Sequence, residues 1–347
     1  MLHRILTPPA ASGNGAANDA GKTRCGEDAI AKLETRHADR IFSAISSDAA
    51  ARSMLVASWQ RSATIHRRDP AEAAPPRRLS DGELRAVRQR MEPVIAASAD
   101  ILDHLHRAVG GNGCCVLLSD AQGVPVERRG FPGDDETFRD WGLWLGNDWS
   151  EAAEGTNGIG TAIAEKRSVI IHADQHFHSR NTGLSCMSAP IFGPDGGLMA
   201  VLDVSSCRAD LTSEIIPILS LTVNWAAKRI EVGCFRNAFP AARLMAGPGQ
   251  PEDVMLAIDH DERVVGATRA ARHAYGITDR RIADGLPAAL LFESEWDGGS
   301  ALSRAEQQTV KRALAEARGN ASEAARRLGV SRATFYRMLK RASSSAP

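Results

Sequence analysis

The sequence predicts an α+β fold: an antiparallel sheet flanked by helices, then a small α/β unit, then an all-helical C-terminus. Three observations carry that prediction. Apolar residues keep helical spacing over 84–109 and again over 212–236. Between those stretches the pattern switches to strand–turn–strand, twice. Residues 301–347 break into three short, punctuated helices. At 347 residues the chain exceeds one average domain, so two or three are expected.

Composition narrows the function classes. Apolar residues make up 43% and charged residues 24%, an ordinary globular balance, and 42 basic residues cancel 42 acidic ones. A neutral chain has no whole-molecule attraction to nucleic acid, so any such signal must be local. No apolar run approaches the roughly 18 residues of a membrane span. The N-terminus lacks the apolar stretch of a secretory signal, so a cytoplasmic location and no membrane partner are expected. The six cysteines (Cys25, Cys114, Cys115, Cys186, Cys207, Cys234) have no CxxC spacing, which argues against both a disulfide framework and a zinc ribbon.

Residues 1–45 read as a flexible tail, rich in Ala, Gly, Asn and Pro, that runs into a helix. A helical extension and linker follow over 46–79: Met54, Leu55, Ser58 and Ile65 keep near-helical spacing until Pro70, and AEAAPPRR comes next. The domain at 80–236 opens on Ser80 and Glu83, a capping box, and a stripe from Leu84 to Val109 continues it with Pro93 as a bend point. CCVLLSDAQGVPVERRG is a hairpin turning on Asp-Ala-Gln-Gly, and its adjacent Cys114 and Cys115 should face opposite sides of a strand. Trp141, Trp144 and Trp149 lead to the turn GTNGIG, a helix TAIAEK and a strand SVIIHA. MSAPIFGPDGGLMAVLDVSS is the second hairpin, turning on Pro194-Asp195-Gly196-Gly197. A Gly/Pro-rich linker at 237–252 precedes a strand–turn–strand–helix unit at 253–295.

The C-terminal helices occupy 301–342. Ser303 with Glu306 caps the first, which Gly319-Asn320 ends; the second, SEAARRL, stops at Gly329; Ser331 caps the third, RATFYRMLKR. Val310, Ala313, Leu314, Ala325, Leu328, Val330, Phe335 and Leu339 can share one small core. Two short helices joined through LGVS form the helix-turn-helix arrangement. Ten basic residues face three acidic ones here, a local excess of seven on a neutral chain. Ser331, Arg332 and Thr334 open the third helix, where base edges are met. Tyr336, Arg337, Lys340 and Arg341 suit phosphates or outer bases, with Arg326 and Arg327 on the preceding helix. A basic helical end that merely packs on the rest of the chain would explain the charge, but not the turn spacing and the capped third helix together.

This segment resembles the DNA-binding domain of the Fis family through Glu306, Ala313-Leu314, Gly319-Asn320, Ala324-Ala325, Leu328 to Arg332, Thr334, Tyr336-Arg337 and Leu339-Lys340. The resemblance implies a homodimer on an inverted-repeat operator.

By residue chemistry alone, GTNGIGT is a Gly-rich turn whose N–H groups could cradle an anion, or simply the cap of the next helix. No GxxxxGK[ST] loop occurs, and no strand leads into the turn as a dinucleotide fingerprint requires. The run from Glu154 to Ser206 resembles the sensory GAF domain of acetoin-catabolism-type activators, with SWQRS…DP and LLSDAQGVPV fitting the same pattern. Residues 254–292 resemble the PAS-like module of such regulators through Leu256, Asp259, Arg263 to Val265 and Ala267 to Ala271. The resemblance implies a small-molecule effector: His176 and Cys186 match positions of the family pattern, and Thr156 and Asn157 of the turn are further candidate contacts. By residue chemistry, Trp144 is a candidate pocket wall beside Trp141 and Trp149, with core packing the competing role for at least two of the three. Family members usually carry an ATPase domain between sensor and helix-turn-helix; the ten or so residues from 292 to 303 leave no room for it. A regulator that works without ATP-driven sigma-54 remodelling, by occupying a site or contacting RNA polymerase, is therefore expected.

His172, His176, His178 and Cys186 are metal-ligand types, but their spacing matches no standard site, and no metal or cofactor is expected. Two other classes stay open: a GAF-type thiol enzyme reducing free methionine sulfoxide, and an architectural DNA binder without signal response. The fused DNA-binding end argues against the first, and the large sensor region against the second.

Overall fold

The computed structural model describes residues 35–292 and 309–343, apart from 48, 209–210, 212–213, 248–250, 311, 315 and 318–319. The described residues fall into two compact units. One ends at Ala257 but includes Gly266–Ile277; the other comprises Ile258–Val265 and the chain from Thr278 onward.

In the first unit a helix over 35–46 (α1) precedes α2 (Met54–Gln60), which widens into a π-helical turn over Arg61–Ile65. Part of the stretch expected to be a flexible tail is therefore core: Ile41 is buried with Val56, Trp59 and Phe177. Helix α3 (Asp81–Val109) begins at the expected capping box, where Glu83 N–H donates to Ser80 Oγ at 3.3 Å and Ser80 N–H to Glu83 Oε2 at 2.8 Å. Such a cap is worth about 1 kcal/mol. The helix continues through Pro93, whose missing N–H removes one backbone bond.

Five antiparallel strands follow: β1 (Cys114–Asp120), β2 (Pro125–Arg129), β3 (Val169–His172), β4 (Ser185–Phe192) and β5 (Leu198–Ser206), in the order β2-β1-β5-β4-β3. Both hairpins form as predicted. At the first, Asp120 Oδ1 accepts from the N–H groups of Gln122 and Val124, an Asx turn. Alternation sends Val116, Leu118, Ala189 and Leu202 to one face, where α3 and α7 (Ile215–Ala238) cover them. Cys115, Leu117, Cys186 and Val201 face the other side. That side is covered by the chain of 131–184, including α4 (Asp135–Asp140), α5 (Glu151–Glu154) and α6 (Gly158–Glu165). Cys114 and Cys115 do separate to opposite faces. Helix α6 starts at Gly158, inside the turn expected to precede it.

Beyond α7, the stretch expected as linker carries β6 (Arg243–Ala246), which joins β7 (Met255–Ile258) and β8 (Val264–Ala267) in a three-stranded sheet. Helix α8 (Arg269–Tyr275) is capped by Thr268, whose Oγ1 accepts from Ala271 N–H.

In the second unit, the turn at Asp259 accepts from the N–H groups of Asp261 and Arg263. Helices α9 (Asp279–Ala283) and α10 (Ala289–Phe292) follow, then three C-terminal helices: α11 (described at 309–310, 312–314 and 316), α12 (Ala321–Arg327) and α13 (Arg332–Ser343). Their core is Val310, Ala313, Ala317, Ala324, Ala325 and Phe335, with Leu314, Leu328, Val330 and Leu339 packed against it. Every residue expected in that core is present. The capping pair Ser303 and Glu306 lies outside the described residues. Among the described residues no helix is long and apolar enough to cross a membrane.

Candidate nucleic-acid interface and effector site

The turn between α12 and α13 is built from backbone bonds that only a glycine-bearing sequence makes cheaply. Asn320 caps α12, its Oδ1 accepting from the N–H groups of Ser322 and Glu323. The helix closes with Gly329 N–H to Arg326 O at 3.1 Å and Val330 N–H to Ala325 O at 3.0 Å, a Schellman pair. Gly329 sits at φ +65°, in the left-handed region that this closure needs. Ser331 then caps α13: its Oγ accepts from Thr334 N–H at 3.1 Å and lies 2.8 Å from Thr334 Oγ1. Two predicted contact residues are thus partly engaged in positioning the helix.

Phe335 is fully buried and fixes the rotation of α13, leaving Arg332, Tyr336 and Arg337 exposed. The Arg332 guanidinium lies 5.7 Å from the Tyr336 ring, and Arg337 donates to Thr334 Oγ1. Neither arginine has a carboxylate partner among the described residues. Arg326 and Arg327 are also exposed, but each pairs with Glu323, and Arg327 with Glu316 as well. The side chains of Lys340 and Arg341 lie outside the described residues. Exposed i,i+3 and i,i+4 pairs of this kind are weak and yield easily to a phosphate.

On the loop-covered face of the sheet, Thr156, Asn157, His176 and Cys186 lie in one buried polar region, with Trp144 apart from them. Asn157 caps α6: its Oδ1 accepts from Gly160 N–H at 2.8 Å and its Nδ2 donates to Gly155 O at 2.9 Å. The helix-cap explanation of GTNGIG therefore holds. Its glycines permit close packing. A Cβ on Gly158 would stand 2.4 Å from Ser188 Oγ and 2.6 Å from Cys186 Cβ, and one on Gly160 would stand 2.5 Å from Glu151 N. Thr156 Oγ1 lies 2.7 Å from Ser58 Oγ, which donates to Glu151 Oε1 at 2.6 Å; Arg61 grips that carboxylate at 2.9 and 3.0 Å.

His176 is fully buried, with Nδ1 3.0 Å from Ala173 O and Nε2 3.4 Å from Cys186 Sγ. Burial pulls its pKa down to about 4, so the ring is neutral. Ser205 Oγ lies 3.1 Å from the same sulfur and 2.6 Å from Asp203 Oδ2, while Ser188 hydrogen-bonds Asp203 Oδ1. Burial lifts Asp203 to about 6 and pushes the Cys186 thiol far above its ordinary range. His178 Nδ1 bonds Asp69 O, and His172 bonds Ser185 Oγ. Among the described residues no three His, Cys, Asp or Glu side chains converge on a metal position.

Trp144 is half-buried between two guanidinium groups, Arg128 at 4.3 Å and Arg139 at 4.1 Å from its ring centroid. Ser58, Glu151, Ser188, Asp203 and Arg128 were missed by sequence reasoning. For Asp203 a signal existed, a charge inside the apolar run LMAVLDVSS. For Ser58 and Glu151, 93 residues apart, none did.

Comparison with known proteins agrees with this architecture. Residues 93–230 match the GAF domain model, and residues 301–341 match the model described as bacterial regulatory protein, Fis family. The acetoin catabolism regulatory protein of Cupriavidus necator is 32% identical over 221 residues, covering 62% of this chain and 33% of that protein. The propane 2-monooxygenase operon transcriptional activator MimR of Mycolicibacterium smegmatis is 30% identical, covering 54% of this chain and 30% of its own length. The acetoin dehydrogenase operon transcriptional activator AcoR of Bacillus subtilis is 28% identical over 52% of this chain and 30% of its own. The chain spans about a third of the length of these relatives. It carries a GAF domain and a Fis-type helix-turn-helix, and these three relatives are transcriptional regulators.

Proposed function

We propose that this protein is a sequence-specific DNA-binding transcription regulator that senses a small molecule through its GAF domain. One observation carries the reading: α13, capped by Ser331 and oriented by Phe335, presents Arg332 and Arg337 to solvent in a chain that also carries a GAF domain. The regulator acts as a homodimer on an inverted repeat, as Fis-type domains do, and effector binding changes how its two recognition helices are presented. Half-site spacing is a geometric constraint, so a small rotation suffices. RNA polymerase is a candidate partner. The short stretch between 292 and 303 supports action without ATP-driven sigma-54 remodelling.

The reading as a thiol enzyme finds no support in the cysteines. All five described thiols are buried, and burial holds Cys186 in the unreactive protonated form. Turnover of methionine sulfoxide that vanishes on Cys186→Ser would restore that reading. The proposal is tested by genome-wide footprinting of the wild type beside Arg332→Ala. Discrete palindromic sites that are lost in the variant are expected; footprints with no sequence preference in either protein would overturn it.

A further inference from the structure

Arg128 lies on the edge strand β2, opposite Leu117, and so faces the loop-covered side of the sheet. Its side chain is only 8% exposed. Nη1 donates to Asp135 Oδ1 at 2.7 Å, but Nε and Nη2 are buried with no hydrogen-bond partner among the described residues. The flat faces are taken by rings, Trp144 at 4.3 Å and Phe138 at 5.2 Å from the guanidinium carbon. A buried guanidinium edge with nothing to donate to is costly, and native proteins rarely leave one empty.

One of these rings is shared with a neighbouring cavity. Phe138 also lines a cavity of about 270 Å³, together with Phe131, Gly110, Asp134, Cys207 and Arg208. The His106 ring is tilted against Phe131 with centroids 4.9 Å apart, and its Nε2 is buried beside Gly110 without a partner among the described residues. Gly130 lets the Arg128 guanidinium pack close against the chain, since a Cβ there would stand 2.5 Å from Nη2.

From this geometry we infer that the Arg128 Nε–Nη2 edge receives the carboxylate of a small effector, whose apolar body rests among Phe131, Phe138 and Trp144. The inference rests on the GAF domain being the sensor. The two parallel N–H groups on one guanidinium edge match the two oxygens of a carboxylate, a fork that an ammonium cannot reproduce. The rings and the glycine-lined cavity favour an acid with a short hydrocarbon or aryl body over a strongly hydrated phosphate.

The test uses the full chain with sodium propanoate and sodium benzoate at millimolar concentration, against propanamide, benzamide and sodium chloride at equal ionic strength. Melting temperature and tryptophan fluorescence report binding. The acids are expected to raise the melting temperature and to bind at least about tenfold tighter than their amides, and Arg128→Lys should lose about that factor. Arg128→Met should abolish the effect; because it also strands the Asp135 carboxylate, the ligand-free melting temperature should fall, and the readout is the loss of the acid-induced shift on that lower baseline. The acid–amide comparison needs no variant and stands even if one fails to fold. Amides or chloride acting as well as the acids, or no probe shifting the wild type, would overturn the assignment. Operator footprinting of the same samples separates the two readings: Arg128-dependent acid binding with an unchanged footprint removes the sensor reading and leaves the site.

Discussion

The helix-turn-helix and the loop-covered face of the GAF sheet carry polar chemistry in opposite ways. In the first, the chemistry lies within residues 320–341, and the described arginines are exposed, with helix caps formed by neighbours two or three positions away. In the second, residues 58, 151, 156, 176, 186, 203 and 205 are gathered from across the chain into a water-excluded layer, with the half-buried Arg61 at its edge. On the proposed reading, the exposed site trades water for phosphate and base edges. The buried one holds each polar group in place with another, so a change there is felt as lost stability before it is felt as lost contact.

Substitutions can break that contrast. The largest effect is expected from Phe335→Ala, which should cost about 3–5 kcal/mol and abolish operator binding in mobility-shift assays, because the small core of α11–α13 cannot absorb the loss. Gly158→Ala comes next. Despite a helix-favouring residue type, the added methyl meets Ser188, Cys186 and Asp203, and calorimetry should show a loss of about 3 kcal/mol.

Asp203→Asn probes the same layer through pH. The folded carboxyl titrates near 6 against an ordinary 3.8, so the folded state holds its proton more tightly. Its contribution to stability is greatest at low pH and declines as pH rises from 3.8 to about 6. Denaturant titrations should show that Asp203→Asn removes this decline and gains stability relative to the wild type above pH 6. A difference between the two proteins that does not change with pH would contradict the burial argument. The smallest effects lie on the exposed side. Arg332→Ala should weaken specific binding by about 1–3 kcal/mol, while Lys340→Ala should weaken specific and non-specific binding alike and lower the salt slope by about 1. Equal behaviour of the two variants would break the division between base-reading and phosphate-holding residues.

How much was legible follows from the same contrast. The capping box at Ser80, both hairpins, Gly329 and the core of α11–α13 depend on near neighbours, so periodicity and turn chemistry reveal them. The opposite placement of Cys114 and Cys115 needed only the two-residue period of a strand. The grouping of Thr156, Asn157, His176 and Cys186 was suggested by family resemblance, but spacing could not say that Asn157 is a helix cap or that Cys186 is sealed beneath His176. Trp144 looked like a pocket wall; that it stacks on an arginine with an idle edge was invisible, because Arg128 reads as an ordinary surface charge in VERRG.

By itself, then, the sequence determined the α+β order of elements, the capped recognition helix and the local excess of positive charge, since these arise from interactions a few residues long. Only the tertiary structure decided which polar groups are shut away from water and which of them lack a partner. Those outcomes depend on strand register and on loops that return from far along the chain, where Glu151 meets Ser58 and Arg128 is left with two donors unmet. The helix cap at GTNGIG and the idle guanidinium edge are alike in this: burial, not residue type, sets what each can do.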